Sequence, residues 1–389
     1  MLTAVDFGAD AIYLSGQTFG MRAYAGNFTI DELYEASTFC KSKNVKTYLT
    51  LNIMAHNEDL KQLPEYLKEI EKSDIDAVIV ADLGVMEIVK ELLPHKDLHI
   101  STQFSATNYK TYDLLKRMGA SRVVLPRELS FQEIKDIRNY TDLELEMFVH
   151  GAMCMSYSGR CMLSYHTSSR DANKGECNQP CRFPYQLNSK FLDNPINVEG
   201  DERGTYFFNS KDLALVKRLP ELIEAGIDSF KIEGRMKALS YLSSVVNLYK
   251  NVRDSYIADK TGFTFLPEWE EELSKIANRG YTEFNFDGKV DASESQETRS
   301  SKAIATHDIA GTVKEIIDKT YMVVEVKSAF HPNDEMEILI PGKRTISYCP
   351  KFIKDVIGRE IDRTKPNQIV VLPHVRSVVP GSILRVKKV

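Results

Sequence analysis

The sequence predicts an α/β fold: a TIM-like (β/α) barrel followed by a small C-terminal β-barrel domain. Along the first 260 residues, short apolar, β-branched runs alternate with amphipathic stretches of 10 to 20 residues, the pattern of a parallel sheet with crossover helices. So many such units favour a barrel over an open sheet. From His307 onward helical periodicity stops, and short alternating strands separated by Pro-Gly and Pro-Asn turns take over, as in small β-barrels or sandwiches.

The expected barrel strands are AIYLS (11–15), KTYLTLN (46–52), AVIVAD (77–82), LHISTQ (98–103), RVVLPR (122–127), LELEMFVHG (143–151), TYFFNS (205–210) and FKIEG (230–234). Helix-like or loop sequence follows each of the first six, for example DELYEASTFCKSK from Asp31 and SFQEIKDIRNY from Ser130. A cysteine-rich insertion at 151–190 follows the sixth strand, where βα loops carry sites. A helix near 238–257 ends the barrel region at residue 260. The acidic PEWEEELSKIANRGY and the polar run DASESQETRSSKA from Asp291 make 261–305 a connecting segment and linker, the latter too poor in apolar residues to pack. Residues 306–389 then hold GTVKEI, YMVVEVK, DEMEILI, QIVVLP and SILRVKK, a module of the kind that commonly binds RNA or protein partners.

At 389 residues the chain can bury a full core and divide into two domains. Its net charge of -5 is mild. No apolar run approaches the roughly 18 residues of a membrane span, and the start lacks the basic-then-apolar pattern of a secretory leader, so no membrane partner and a cytoplasmic location are expected. Residues 306–389 carry 14 Lys+Arg against 10 Asp+Glu, leaving that part at +4 and the rest at -9. The insertion is also basic, with Arg160, Arg170, Lys174, Arg182 and Lys190 against Asp171 and Glu176; ordinary surface scatter and phosphate binding are both open readings.

Four of the six cysteines, Cys154, Cys161, Cys177 and Cys181, fall in one 28-residue stretch as C-x6-C-x15-C-x3-C. A disulfide pair is disfavoured in a reducing compartment. Structural zinc usually comes as two close knuckles, and only the second pair here is close. An iron-sulfur cluster has corners several ångströms apart and tolerates unequal spacing, so cluster and zinc both remain open from the residues alone. Four thiolates would cap every iron of a cubane, which favours electron transfer or structural support over Lewis-acid chemistry.

Read to their ends, the expected strands finish on Asn52, Asp82, Gln103, Arg127, His150, Asn209 and Glu233, with Arg22, Glu128, Lys231 and Arg235 close by in sequence. Polar ends on apolar strands are where a (β/α) barrel builds its site, though any one could be a helix cap or a loop hydrogen bond. There is no H-E-x-x-H helix and no G-x-S-x-G elbow. His150 could pair with Cys154 as in a thiol protease only if that thiolate were free of metal.

FVHGAMCMSYSGRCMLS, RDANKGECNQPCR, AYAGNF, STQFSATN and FKIEGRMK together resemble the collagenase-like peptidase family, once classed as peptidases of unknown catalytic type, over nearly the whole chain. The resemblance implies an oxygen-independent hydroxylation protein holding a 4Fe-4S cluster on Cys154, Cys161, Cys177 and Cys181. By length and single barrel it is closest to members that convert the tRNA wobble uridine to 5-hydroxyuridine with prephenate as co-substrate. It implies tRNA, an electron donor protein and a paralogous subunit as partners. Guanidinium forks suit carboxylates, which makes Arg127 and Arg235 first choices for prephenate; His150 would shuttle a proton, and Glu233 is a third candidate for the chemistry. A collagenase-like peptidase and a non-enzymatic RNA-binding module are the alternatives.

The chain departs from that family in three places. It opens at MLTAVDFGAD, inside the family's first helix, so the barrel would lack its first strand. NRGYTEF puts Asn278 and Glu283 where HRGYTTGF has a histidine and a glycine. Some relatives take the fourth cluster ligand from elsewhere, which makes Cys40 the reserve for Cys181 and Cys349 a poor candidate.

Overall fold

The computed structural model describes residues 1–21, 26–183, 200–201, 204–205, 209–235, 237–288, 295–297 and 303–388. They form two compact units interleaved along the chain: Met1–Ala9, Met236–Asn278 and Ala303–Val389 make one, Asp10–Arg235 and Arg279–Lys302 the other. Helix α1 (Leu2–Asp6) therefore groups with the C-terminal residues.

The larger unit is built on a nine-stranded, mostly parallel sheet. Strands β1 (Ala11–Leu14), β2 (Lys46–Leu51), β3 (Ala77–Val80), β4 (Asp97–Ile100) and β5 (Arg122–Val124) are followed in turn by helices α2 (Ile30–Ser42), α3 (Asn57–Glu71), α4 (Leu83–Leu92), α5 (Tyr109–Arg117) and α6 (Phe131–Tyr140). Strand β6 (Glu144–Ala152) completes six consecutive parallel neighbours. These are the first six expected strands, within a few residues. β3 is buried at every position, as a parallel strand covered on both faces must be. Capping boxes start two of the crossover helices: Thr29 with Glu32 opens α2, and Ser130 with Glu133 opens α6.

After β6 the simple repeat ends. Helix α7 (Leu163–Ser168) lies in the cysteine segment, and β7 (Gly200–Asp201) and β8 (Gly204–Thr205) form a separate antiparallel pair. Strand β9 (Asp212–Ala214) runs antiparallel on β6, and after α8 (Leu219–Glu224) strand β10 (Ser229–Ile232) also pairs with β6, in parallel; β11 (Tyr281–Thr282) adds to β9. The expected strand TYFFNS lies largely outside the described residues, as does most of the DASESQETRSSKA linker.

No closed barrel is found among the described residues: the path runs β1-β2-β3-β4-β5-β6-β9-β11, with β10 branching from β6. The fork explains the difference. Besides β5, β6 pairs with both β9 and β10, with a register shift between Lys231 and Ile232, so the sheet divides where a barrel would continue. Side chains link β1 with the β10 end: Tyr13 Oη donates to Glu233 Oε2 at 3.1 Å, and Lys231 Nζ stands 4.5 Å from the centroid of the Tyr13 ring.

The other unit contains α9 (Leu239–Ala258), α10 (Pro267–Lys275) and a six-stranded antiparallel sheet. Its strands are β12 (His307–Ile317), β13 (Tyr321–Val326), β14 (Met336–Leu339), β15 (Ile346–Tyr348), β16 (Ile369–Pro373) and β17 (Ile383–Lys387), in the order β15-β14-β17-β12-β13-β16. Alternation turns Val313, Met322, Val324, Ile338, Val370 and Leu384 into one buried cluster. β15, too short to stand out in the sequence, was not among the expected strands. The end strands β15 and β16 are not paired among the described residues, so the expected closure of this module is not found either; Tyr348 Oη reaches Pro373 O at 2.9 Å. No helix among the described residues is long and apolar enough to cross a membrane.

Candidate functional site

A cavity of ≈ 190 Å³ opens at the C-terminal ends of the parallel strands, far above the roughly 10–15 Å³ that one water needs. Asn52 follows β2, Ser101 to Gln103 follow β4, Arg127 follows β5, Cys154 follows β6, and Glu233 and Arg235 follow β10; all line it. This is the end of a parallel sheet at which loops leave for the helices and sites are built. Asn52 is fixed from both sides, its Nδ2 donating to Ser101 Oγ at 3.1 Å and its Oδ1 accepting from Met21 N at 3.3 Å. Arg235 donates through Nη1 to Met21 O at 2.5 Å and through Nη2 to Asn27 Oδ1 at 2.9 Å. The Arg127 guanidinium lies 4.0 Å from the centroid of the Phe148 ring, a cation–π contact that holds the fork flat.

Beneath the cavity a buried ion cluster anchors Lys231. Its ammonium meets Glu146 Oε1 at 2.6 Å, while Glu146 Oε2 accepts from Arg122 Nη1 at 3.1 Å and from Ser229 Oγ at 2.9 Å. Burial pushes the Glu146 carboxyl up, but Lys231 and Arg122 overcome that and hold it at about 2. Burial, reinforced by the Arg122 charge, lowers the neighbouring His99 to about 3, so its imidazole is neutral. The cavity floor therefore presents an ammonium whose counterion lies below it.

The cysteine segment covers the cavity. A turn closed by Arg160 N donating to Tyr157 O, helix α7, and 3-10 turns at Ala172–Lys174 and Pro180–Arg182 fold it so that all four thiols line the same cavity. Gly159 makes the close approach possible: its φ is +73°, and a Cβ there would stand 2.3 Å from Gln103 O. Ser158 seats the turn, its N–H donating to Glu128 Oε1 at 3.0 Å and its carbonyl accepting from Ser105 Oγ at 2.5 Å. Lys174 Nζ ties the far side to Asp59 Oδ2 at 2.8 Å.

All six cysteines are free thiols. Cys154 is exposed as a residue, yet burial around its sulfur raises the thiol, with Cys161 and Cys177 adding to the rise and the Ser156 backbone and Arg127 opposing it; burial pushes Cys181 up to about 11. Cys177 Sγ accepts from Gln179 N at 3.3 Å. Among the described residues no three His, Cys, Asp or Glu side chains are gathered as ligands for a single metal ion. Cys40 is buried within α2 and Cys349 belongs to the other unit; neither lines this cavity.

Of the residues singled out in the sequence, Asn52, Gln103, Arg127, Lys231, Glu233, Arg235 and the four clustered cysteines come together here. Four do not line the cavity. Asp82 caps α4, its Oδ1 accepting from Gly84 and Val85 N–H at 2.8 and 3.0 Å. Asn209 is buried with its Nδ2 donating to Glu297 O at 3.0 Å. Glu128 supports the cysteine turn from outside the cavity, and His150 is buried within β6 beside the Tyr281 ring. Arg22 lies outside the described residues. Sequence reasoning missed Tyr13, Thr50 and Ser101, which line the cavity, and Glu146 below it. A carboxylate inside an apolar strand was the available signal for Glu146, because a buried charge requires a partner.

Residues 1–296 match the family model described as Peptidase family U32, and residues 305–385 match Peptidase family U32 C-terminal domain. The chain is 39% identical over 384 residues to a tRNA hydroxylation protein P1 of Bacillus subtilis, covering 98% of this chain and 91% of that protein. It is 29% identical over 384 residues to a 23S rRNA 5-hydroxycytidine synthase of Escherichia coli, with 95% and 54% covered. A collagenase of Porphyromonas gingivalis is 31% identical over 293 residues, with 72% and 69% covered.

Proposed function

The chain belongs to peptidase family U32, and on that premise we propose that it is an RNA-modifying enzyme: an oxygen-independent, prephenate-dependent hydroxylase converting the tRNA wobble uridine to 5-hydroxyuridine in the cytoplasm. The observation that carries this reading is the meeting of four thiols outside any disulfide and four cationic side chains, Arg127, Arg182, Lys231 and Arg235, on one cavity. Relatives named for hydroxylation of two different RNAs support the RNA part.

Cys154, Cys161, Cys177 and Cys181 would hold a 4Fe-4S cluster, which supplies electron transfer when bound. The fit is favourable. None of the four thiols is in a disulfide and all four share a cavity, and thiolates are the ligands that such a cluster takes. Lys231, Arg127 and Arg235 would bind and orient the carboxylates of the co-substrate. Asn52 and Gln103 offer hydrogen bonds to a nucleobase, and Tyr13 with Glu233 supplies a proton pair at the sheet edge. The parallel sheet is then a (β/α) barrel left open between β1 and β10. An electron donor protein and a paralogous subunit complete the proposed assembly.

A peptidase reading has the collagenase relative in its favour, but among the described residues no histidine lines the cavity to activate a thiol. Purification without oxygen distinguishes the two: the cluster reading expects about four irons and four sulfides per chain, lowered by changing any of the four cysteines to serine and unchanged in Cys40→Ala and Cys349→Ala. Cells whose only copy is Arg127→Ala should lose 5-hydroxyuridine while the protein keeps its iron. Full iron loading in Cys177→Ser removes that ligand from the assignment, and wild-type 5-hydroxyuridine in the Arg127→Ala cells removes Arg127 from the site.

A further inference from the structure

Three aromatic side chains of the cysteine segment are exposed: Tyr157 at 60%, which lines the cavity, Tyr165 at 50%, and Phe183 at 43%, next in sequence to the cavity-lining Arg182. Single exposed apolar residues need no explanation, but these three belong to one 27-residue piece of the cysteine segment. They are interleaved with guanidinium groups, since Arg160 is exposed and Arg182 follows Cys181. The two acidic residues of the segment are half-buried and engaged by its own backbone: Asp171 Oδ1 accepts from Asn173 N at 2.8 Å, and Glu176 Oε2 from Asp171 N at 3.3 Å. Arg160 is the charged side chain of the segment that stands exposed. Tyr157 and Arg182 also line the cavity itself, so the mouth is continuous with the thiol-lined interior. Exposed rings among guanidinium groups form a stacking platform for unpaired bases, while a base held in a duplex could not reach a cavity behind such a rim.

We propose that Tyr157, Tyr165 and Phe183 form a base-stacking rim that receives unpaired nucleotides of an RNA and delivers one into the cavity, with Arg160 and Arg182 on the flanking phosphates. The rim rests on the RNA reading above and adds the requirement that the RNA be single-stranded at the point of contact. The rings would hold bases irrespective of sequence, leaving selection of the reacting base to groups inside the cavity such as Asn52 and Gln103.

The test uses the full-length protein and two RNA probes of one sequence, a hairpin with a seven-nucleotide loop and the same strand closed into a duplex. The wild-type protein should bind the hairpin at least tenfold more tightly than the duplex. Tyr157→Ala and Phe183→Ala should each weaken hairpin binding by about 5- to 100-fold, with circular dichroism and metal content unchanged. Tyr157→Phe should restore binding, because stacking needs the ring and not the hydroxyl. Wild-type hairpin affinity in the alanine variants overturns the rim and leaves the RNA reading standing, as does equal loss in Tyr157→Ala and Tyr157→Phe. A wild-type protein that binds neither RNA overturns the RNA reading and the rim with it.

Discussion

The parallel sheet and the cysteine segment share a cavity but are held by different forces. In the sheet, Leu49, Val78, Ile79, Ile100, Val123 and Leu145 are buried to within a few per cent, and each strand is hydrogen-bonded to its neighbour. From 153 to 183 the buried apolar side chains are Met153, Ala172 and Pro180. It is held by single polar contacts such as Asn173 Nδ2 to Cys161 O at 3.1 Å and Ser164 Oγ to Asn178 Oδ1 at 2.9 Å. Hydrogen bonds of this kind are worth about 1 kcal/mol each, against roughly 1.5–3 kcal/mol for each buried aliphatic side chain. The sheet can keep its form whatever the thiols bind; the segment should depend on its ligand.

The largest effect expected from that contrast follows removal of the proposed cluster. Chelation, or joint replacement of Cys154, Cys161, Cys177 and Cys181 by serine, should open the segment to proteolysis between Met155 and Phe183 while strand and helix content hardly change, since metal binding and local folding are coupled. Mapping the cleavage sites checks this. Cuts spread evenly over α2 to α6 would show that the two regions fold as one.

Glu146 tests the sheet side. Glu146→Ala leaves Lys231 and Arg122 buried without their shared carboxylate, and breaking such a pair costs about 3–5 kcal/mol. Denaturant unfolding should report that loss for the whole unit. The pH dependence has a fixed sign: the carboxyl is held at about 2 in the folded chain against roughly 4.3 unfolded. Its contribution is thus complete above the unfolded value and disappears as pH falls from about 5 towards 2. Glu146→Gln should flatten that part of the stability profile; an unchanged acid limb would assign the loss to other groups.

The same division decided what could be read in the sequence. Strands β2 to β6 were legible because mostly buried parallel strands read as apolar, β-branched runs, and the cysteines because thiols so rarely cluster. The antiparallel β9 and the fork at β6 were not legible: three residues, Asp212–Ala214, carry no periodicity, and a register shift leaves no mark in composition. Polar strand ends were a sound but incomplete guide. Asp82 and Gln103 look alike as residues closing apolar runs, yet Asp82 precedes a helix that needs a cap, whereas Gln103 lies in a short 3-10 turn capped by Ser101 and stays with the cavity. Glu146 escaped notice because an alternating Glu-x-Glu looks like a solvated face, which masked the signal of a carboxylate in an apolar strand; the pairing with β10 shows that its side is enclosed.

The smallest effect concerns the point where the two regions touch. Gly159 has φ +73°, and an alanine methyl would meet the Gln103 carbonyl at 2.3 Å. That oxygen is backbone and cannot swing aside, so the turn must lift, at a cost of about 1–3 kcal/mol for strain and lost contacts. Because Ser158 and its bonds to Glu128 and Ser105 lie next to it, the cost should fall on seating of the segment and not on the sheet. Gly159→Ala should therefore raise the cleavage rate of the metal-loaded segment by about 5- to 100-fold under conditions where opening precedes cleavage, with the unfolding midpoint of the sheet changed little. Gly342→Ala is the matched control, also at positive φ (+66°) but with nothing near its Cβ; it should leave the segment as resistant as in the wild type. If both substitutions loosen the segment alike, the close approach to Gln103 is not what holds it.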